Sequence, residues 1–254
     1  MPSRQKKVIF CIAGLLSFGC ALSVAAAIGT QFWVKGTILC KTGAQLVNAT
    51  GPELDKFVGE ISYGLFHGQR VKQCGLGGRP FQFSFLTSSQ PRSEYVALFV
   101  VYRYMIIFPD LLEAIPASIH VSVILFSAAV IIFSLVAAAL FMYNAFGTPY
   151  ETLHGPLGLY LWNFISCSCG CLVMMLFASE VKLHRLSEKI ANYKEGNFVY
   201  KTHSEEFDRS FWIILFCFTV HFLNILLIRI AGIQFPFQES KESDTSTGAA
   251  DLMY

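Results

Sequence analysis

The sequence predicts an all-α transmembrane protein, a four-helix bundle that carries a small antiparallel β-sheet in its large first extracellular loop. Three observations carry that expectation. The chain of 254 residues is 54% hydrophobic and only 14% charged, with a mean hydropathy of +0.52, whereas a soluble domain holds roughly 25% charged residues. Four separate apolar runs reach the length of about 20 residues that a helix needs to cross a hydrocarbon core. The long stretch between the first two runs is divided by turn residues into short β-rich pieces. The bilayer is therefore the expected surrounding. The formal charge of +2 supplies no polyanion-binding face, so nucleic acid is not an expected partner.

The spans are expected at residues 8–28, 117–142, 157–178 and 211–232. The first and third carry no formal charge. The second holds His120 as its one ionisable side chain, and the fourth holds His221 and ends near Arg229, whose long stem can reach the headgroups. The first run has a rival reading as a secretory signal peptide, because Arg4, Lys6 and Lys7 precede it and Ala25-Ala26-Ala27 could be cleaved. Its length exceeds the usual signal core, which favours retention. Small residues at Ala13, Ser17, Ala21, Ala25 and Gly29 recur every four positions and are expected to form one close-packing helix face. Residues 96–107 are apolar but too short to span, contain Arg103 and run into Pro109. They read as an interfacial or loop segment.

Four spans place both termini on one side. The basic cluster ahead of the first span favours a cytoplasmic N-terminus. The charge rule is otherwise divided. Loop 143–156 has no Lys or Arg, while the outer loop 179–210 holds Lys182, Arg185, Lys189, Lys194, Lys201 and Arg209. Two features of outer loop 29–114 support the same orientation. Asn48-Ala49-Thr50 is a glycosylation sequon, which requires a lumenal position for use. Cys40 and Cys74 are the only two of the eight cysteines outside the expected spans. Two such thiols in one oxidising compartment read as a disulfide.

Within that loop, residues 31–34, 37–39, 64–66 and 81–85 are β-rich, and the last alternates with period two. Trp33, just after the first span, is expected as an anchor at the outer headgroups. The third helix is expected to continue past the membrane through 180–193, with Leu183, Leu186, Ile190 and Tyr193 as one apolar stripe. The charges opposite it read as a solvated face, or more sharply the segment reads as a docking surface for the sheet.

No phosphate loop, zinc-protease or serine-hydrolase signature occurs. Cys167, Cys169 and Cys171 read as small packing residues, since positions two apart on a helix do not converge on a metal. His120, His221 and Asn224 read as interhelical hydrogen-bonding groups. A proton or ion path would want acidic partners in the spans, and the expected boundaries contain none. No enzyme activity, cofactor or metal is expected. The polar tail 234–254 reads as disordered and cytoplasmic. Its end, Leu252, Met253 and Tyr254, fits β-addition to a PDZ scaffold domain.

Trp33, the triplet Gly64-Leu65-Phe66 and Cys74 resemble the claudin and peripheral-myelin-protein superfamily. Claudins, however, place both cysteines after the triplet, and here Cys40 precedes it. The runs 39–44, 63–68, 152–160, 187–196 and 250–254 resemble the clarin family of hair-cell tetraspan proteins, and the likeness extends over almost the whole chain. Residues 86–107 read as an insertion into that pattern. If they crossed the bilayer, every later segment would invert. The resemblance implies a claudin-like fold in the plasma membrane, reached through the secretory pathway, at hair-cell stereocilia and synapses. It implies a structural role in hair bundles, mechanotransduction and ribbon synapses, with other integral membrane proteins and the actin cytoskeleton as partners. A claudin-like adhesion protein and an auxiliary ion-channel subunit are the alternatives.

Overall fold

Apolar runs with no proline beyond the first turn and no competing backbone partner must close their own hydrogen bonds in lipid, so they form helices. The computed structural model describes residues 3–84, 117–147, 155–193 and 195–230. Among them are four helices long and apolar enough to cross a membrane: α1 (Ser3–Ile28), α3 (Ala117–Phe146), α4 (Pro156–Lys182) and α6 (Arg209–Ile230). Between α1 and α3 come β1 (Val34–Cys40), the short α2 (Lys41–Leu46), a 3₁₀ turn (Gly51–Phe57), β2 (Val58–Tyr63), β3 (His67–Lys72) and β4 (Arg79–Ser84). Between α4 and α6 come α5 (Leu186–Asn192) and β5 (Tyr200–Phe207).

The long helices close a ring in which α1 packs on α3, α3 on α4, α4 on α6 and α6 back on α1. The inward face of α1 is Phe10, Ala13, Gly14, Ser17, Cys20, Ala21, Val24 and Ala27. Ala25 and Gly29, expected on that face, are exposed. A strict four-residue repeat gains about 40° per step on a helix of 3.6 residues per turn, so it leaves the face within three steps.

The strands form one antiparallel sheet in the order β4-β3-β2-β1-β5. Four strands come from the first outer segment, as expected in kind. Gly64-Leu65-Phe66, expected to be strand, is instead the turn between β2 and β3. The fifth strand comes from the second outer segment and pairs with β1 from Val34↔Phe207 to Cys40↔Tyr200. One sheet therefore ties both outer segments together. The inner face of β1 and β2 alternates as the pleat requires, with Val34, Ile38, Ile61 and Tyr63 buried.

The third helix does not run on as expected. It stops at Lys182, and Arg185 adopts a left-handed conformation (φ 49°) that turns the chain into α5. Leu183 is consequently 78% exposed, while Leu186 and Ile190 are buried against the sheet. The docking surface is present, and the kink is what delivers it.

Gly64 sits where the β2–β3 turn meets the end of α1. A Cβ there would lie 1.9 Å from the Thr30 carbonyl oxygen and 3.1 Å from the Gln31 Cα. Both obstacles are backbone and cannot rotate away. Gly64→Ala is expected to cost about 3 kcal/mol, the upper end of ordinary overpacking, read as a lowered unfolding midpoint in detergent.

A second apolar cluster, with Phe10, Phe141, Tyr160 and Ile228, closes the bundle end opposite the sheet. Residues 3 and 230 both lie at that end. Helix α3 starts at the sheet end, where His120 contacts the β2–β3 turn. The inversion that a crossing by residues 86–107 would impose is therefore absent, although the segment itself lies outside the described residues.

Candidate functional site

The molecule offers a sheet platform at one end of the bundle and polar joints that fasten it there. Cys40 ends β1 and Cys74 follows β3, and the two form a disulfide with Cα atoms 5.6 Å apart. The neighbouring Arg70 of β3 points inward. Its guanidinium donates to the carbonyls of Ile190, Ala191 and Tyr193. These carbonyls lie at the C-terminal end of α5, where Ile190 O also accepts from the Tyr193 amide at 3.4 Å and where a cation is favoured by the helix dipole. Burial pulls the Arg70 pKa down, the opposing influence being the nearby phenols of Tyr200 and Tyr193, yet a guanidinium keeps its proton. The Phe81 ring lies 4.9 Å from its Cζ, and Lys72 pairs with Glu195 beside it. Arg70→Leu should remove these charge-assisted bonds between β3 and α5 and cost about 3 kcal/mol, measured as loss of the folded monomer peak on gel filtration after mild heating.

Tyr63, Ser187 and Glu205 form a second fastening. Ser187 donates to Glu205 Oε2 at 2.9 Å, so its single proton is used and the Tyr63 hydroxyl 2.9 Å away is the donor to it. Burial raises the Tyr63 pKa far above the usual phenol value, which keeps that donor protonated. Glu205 also pairs with Lys182 at 2.9 Å, joining the end of α4 to β5.

Trp33 departs from its expected place at the headgroups. It is 0% exposed, its Nε1 donates to Ala27 O at 2.8 Å, and its ring meets Phe177 edge-on at 4.9 Å between centroids. Its backbone carbonyl accepts from Asp208 N at 2.9 Å. The indole turns inward because the α1–β1 corner offers both an apolar slot and an acceptor for its N–H. It works as a joint between helix and sheet, not as a lipid contact.

His120 and Glu180 form the joint that sequence reading missed. Nδ1 of His120 is 2.9 Å from Glu180 Oε1, and Nε2 is 2.8 Å from Leu65 O. Glu180 is 0% exposed, and its Oε2 has no hydrogen-bond partner. The expectation of no acidic side chain in the spans is therefore corrected. The apolar run ends at Ala178, but α4 continues to Lys182 and places Glu180 opposite His120. A carboxylate two residues after the apolar run and two before the helix end was the available signal.

Deeper in the bundle, every long helix contributes to one polar cluster. His221 bridges Ser134 Oγ (2.7 Å) and Asn163 Oδ1 (2.9 Å). Asn224 donates to Ser17 Oγ at 2.9 Å, and Asn163 donates to Leu159 O at 2.8 Å. The shared helix face expected for His221 and Asn224 is thus the face that binds the other three helices. Such bonds are individually worth about 0.6 kcal/mol in membrane proteins, so their value lies in fixing which helix faces meet. Cys167 and Cys169 are buried thiols in α4.

Asn48 is exposed in the connection after α2, with a left-handed backbone (φ 47°). Leu252, Met253, Tyr254 and the rest of the tail 234–254 lie outside the described residues.

The Clarin-2-like family model matches residues 5–102 and 100–228. Human clarin-1 is 65% identical over the whole of both chains, mouse clarin-2 is 35% identical over the whole of both, and human clarin-3 is 25% identical over 90% of this chain and 88% of its own.

Proposed function

Because the chain belongs to the clarin family, a multi-pass membrane family, we propose that it is a non-enzymatic tetraspan scaffold of sensory hair cells. In this reading it sits in the plasma membrane of stereocilia and synapses. It gathers other integral membrane proteins and connects them to the actin cytoskeleton, in support of mechanotransduction, hearing and vision. The sheet faces the exterior, Asn48 carries a glycan, and both termini are cytoplasmic, where the end Leu252-Met253-Tyr254 meets a PDZ scaffold.

The observation that carries the reading is a division of labour in the molecule. Polar side chains from all four long helices, Ser17, Ser134, Asn163, His221 and Asn224, fasten the helices to each other, and His120 with Glu180 fastens the platform, while the outward helix faces, such as Leu15, Leu22, Leu125 and Phe164, are exposed and apolar. Such a build suits lateral assembly, not turnover of a substrate.

Proximity labelling from a C-terminal tag in sensory hair cells tests it. Enrichment of integral membrane proteins together with actin-associated and PDZ proteins is expected, and deletion of the last three residues should remove the PDZ fraction alone. Recovery of neither class would refute the proposal. Asn48→Gln is expected to remove the glycosidase-sensitive mobility shift of the protein; an unchanged shift would refute Asn48 as the glycan site, and a wild-type protein with no such shift would count against the lumenal placement of the platform.

A further inference from the structure

The side of the bundle between α1 and α6 carries a groove of about 480 Å³ at the sheet-side membrane boundary, lined by Ser23, Asp208, Arg209, Trp212, Ile213 and Phe216. We propose that it holds one phosphocholine lipid of that leaflet, with its phosphate on Arg209, its choline beside Asp208 and Trp212, and one acyl chain along Ile213 and Phe216.

The argument starts from depth. Arg209 is the first residue of the α6 span, and Phe216 lies about 10 Å further along the helix. The groove thus runs from headgroup level into the acyl region, and on a lipid-facing side a bilayer lipid is what covers it. Its apolar wall is open to that side, since Trp212 is 55% and Phe216 59% exposed. Trp212 Nε1 is committed to Phe207 O at 3.1 Å, which fixes the ring and leaves its carbon surface to the groove.

The charges select the headgroup. Asp208 and Arg209 are adjacent and opposite, yet neither makes a side-chain ion pair among the described residues. Asp208 Oδ1 instead accepts from the Arg209 amide at 2.7 Å, and the Arg209 guanidinium lies 5.9 Å over the Phe32 ring. One anion and one cation side by side complement a zwitterion. A guanidinium matches a phosphate, and a carboxylate with an aromatic ring matches a quaternary ammonium. The inference does not depend on which compartment the sheet faces.

Native mass spectrometry of the purified full chain in detergent, titrated with palmitoyl-oleoyl phosphatidylcholine, tests it. The expected result is one retained lipid per chain. Arg209→Gln and Trp212→Ala should each weaken retention about tenfold, the scale of a lost charge-assisted or cation–π contact. Leu125→Ala, on the outer face of α3, should leave it unchanged. Phosphatidylglycerol with the same chains keeps the phosphate and lacks the ammonium, so it should bind several-fold more weakly. Should Trp212→Ala fail to fold, Arg209→Gln decides, because that side chain is exposed and its contact is the 5.9 Å approach to the Phe32 ring. Equal retention by wild type and Arg209→Gln, equal retention of the two lipids, or a dimer mass with no lipid would each overturn the proposal.

Discussion

Replacing His120 by Leu is expected to destabilise the protein by about 3–5 kcal/mol, the usual cost of removing one partner from a buried pair. The reason is the group left behind. Glu180 is fully buried, Oε2 already lacks a partner, and without His120 Oε1 loses its 2.9 Å contact as well. The Leu65 carbonyl, 2.8 Å from Nε2, loses its partner in the same step, so the β2–β3 turn loosens from the outer ends of α3 and α4. The double variant His120→Leu/Glu180→Leu should recover a large part of the loss, since it removes the orphaned carboxylate too. Unfolding midpoints in detergent for the two single variants and the double variant decide the matter. A double variant as unstable as the sum of the singles would show that the pair is not what holds the turn.

Cys40→Ser or Cys74→Ser is expected to cost about 4 kcal/mol in the chain-entropy model of cross-link stabilisation, for a sequence separation of 34. The disulfide holds the far end of β1 to the segment after β3, next to Tyr200, whose hydroxyl lies 3.6 Å from Cys74 Sγ. Losing it releases the sheet edge that receives β5. The expected readout is retention in the secretory pathway and protease cleavage within the sheet, with the four helices still inserted. A reduced or single-Ser protein with unchanged protease resistance would contradict this. The effects of His120→Leu and Cys40→Ser should add, because they act at different joints with no shared partner.

The helices were legible because uninterrupted apolar length has one solution in lipid. The disulfide was legible by compartment, since the other cysteines fall in spans. Direction was harder to read. Trp33 after a span signals a boundary, but whether the ring turns to lipid or to protein depends on Phe177 and the Ala27 carbonyl, which come from other parts of the fold. Strand β5, Tyr-Lys-Thr-His-Ser-Glu-Glu-Phe, carries almost no apolar pattern and read as charged loop. It is a strand because β1 offers an open edge, a contact between residues 160 or more positions apart, and no local window contains it. Glu180 was hidden by the custom of ending a span at its last apolar residue, although the helix itself has no reason to stop there. Arg185 is similar: a left-handed Arg has no sequence mark, and only the α5–sheet contact shows why the chain turns.

The central claim is that both outer segments build one sheet at one end of the bundle. Thr37 and Ser204 face each other across β1 and β5, their hydroxyls 2.8 Å apart, and paired strands bring Cα atoms to about 5 Å, within disulfide range. The double variant Thr37→Cys/Ser204→Cys, with a protease site engineered into residues 148–154, is the direct test. After cleavage, the two fragments should migrate together on a denaturing gel until reductant is added. Fragments that separate without reductant would contradict the shared sheet.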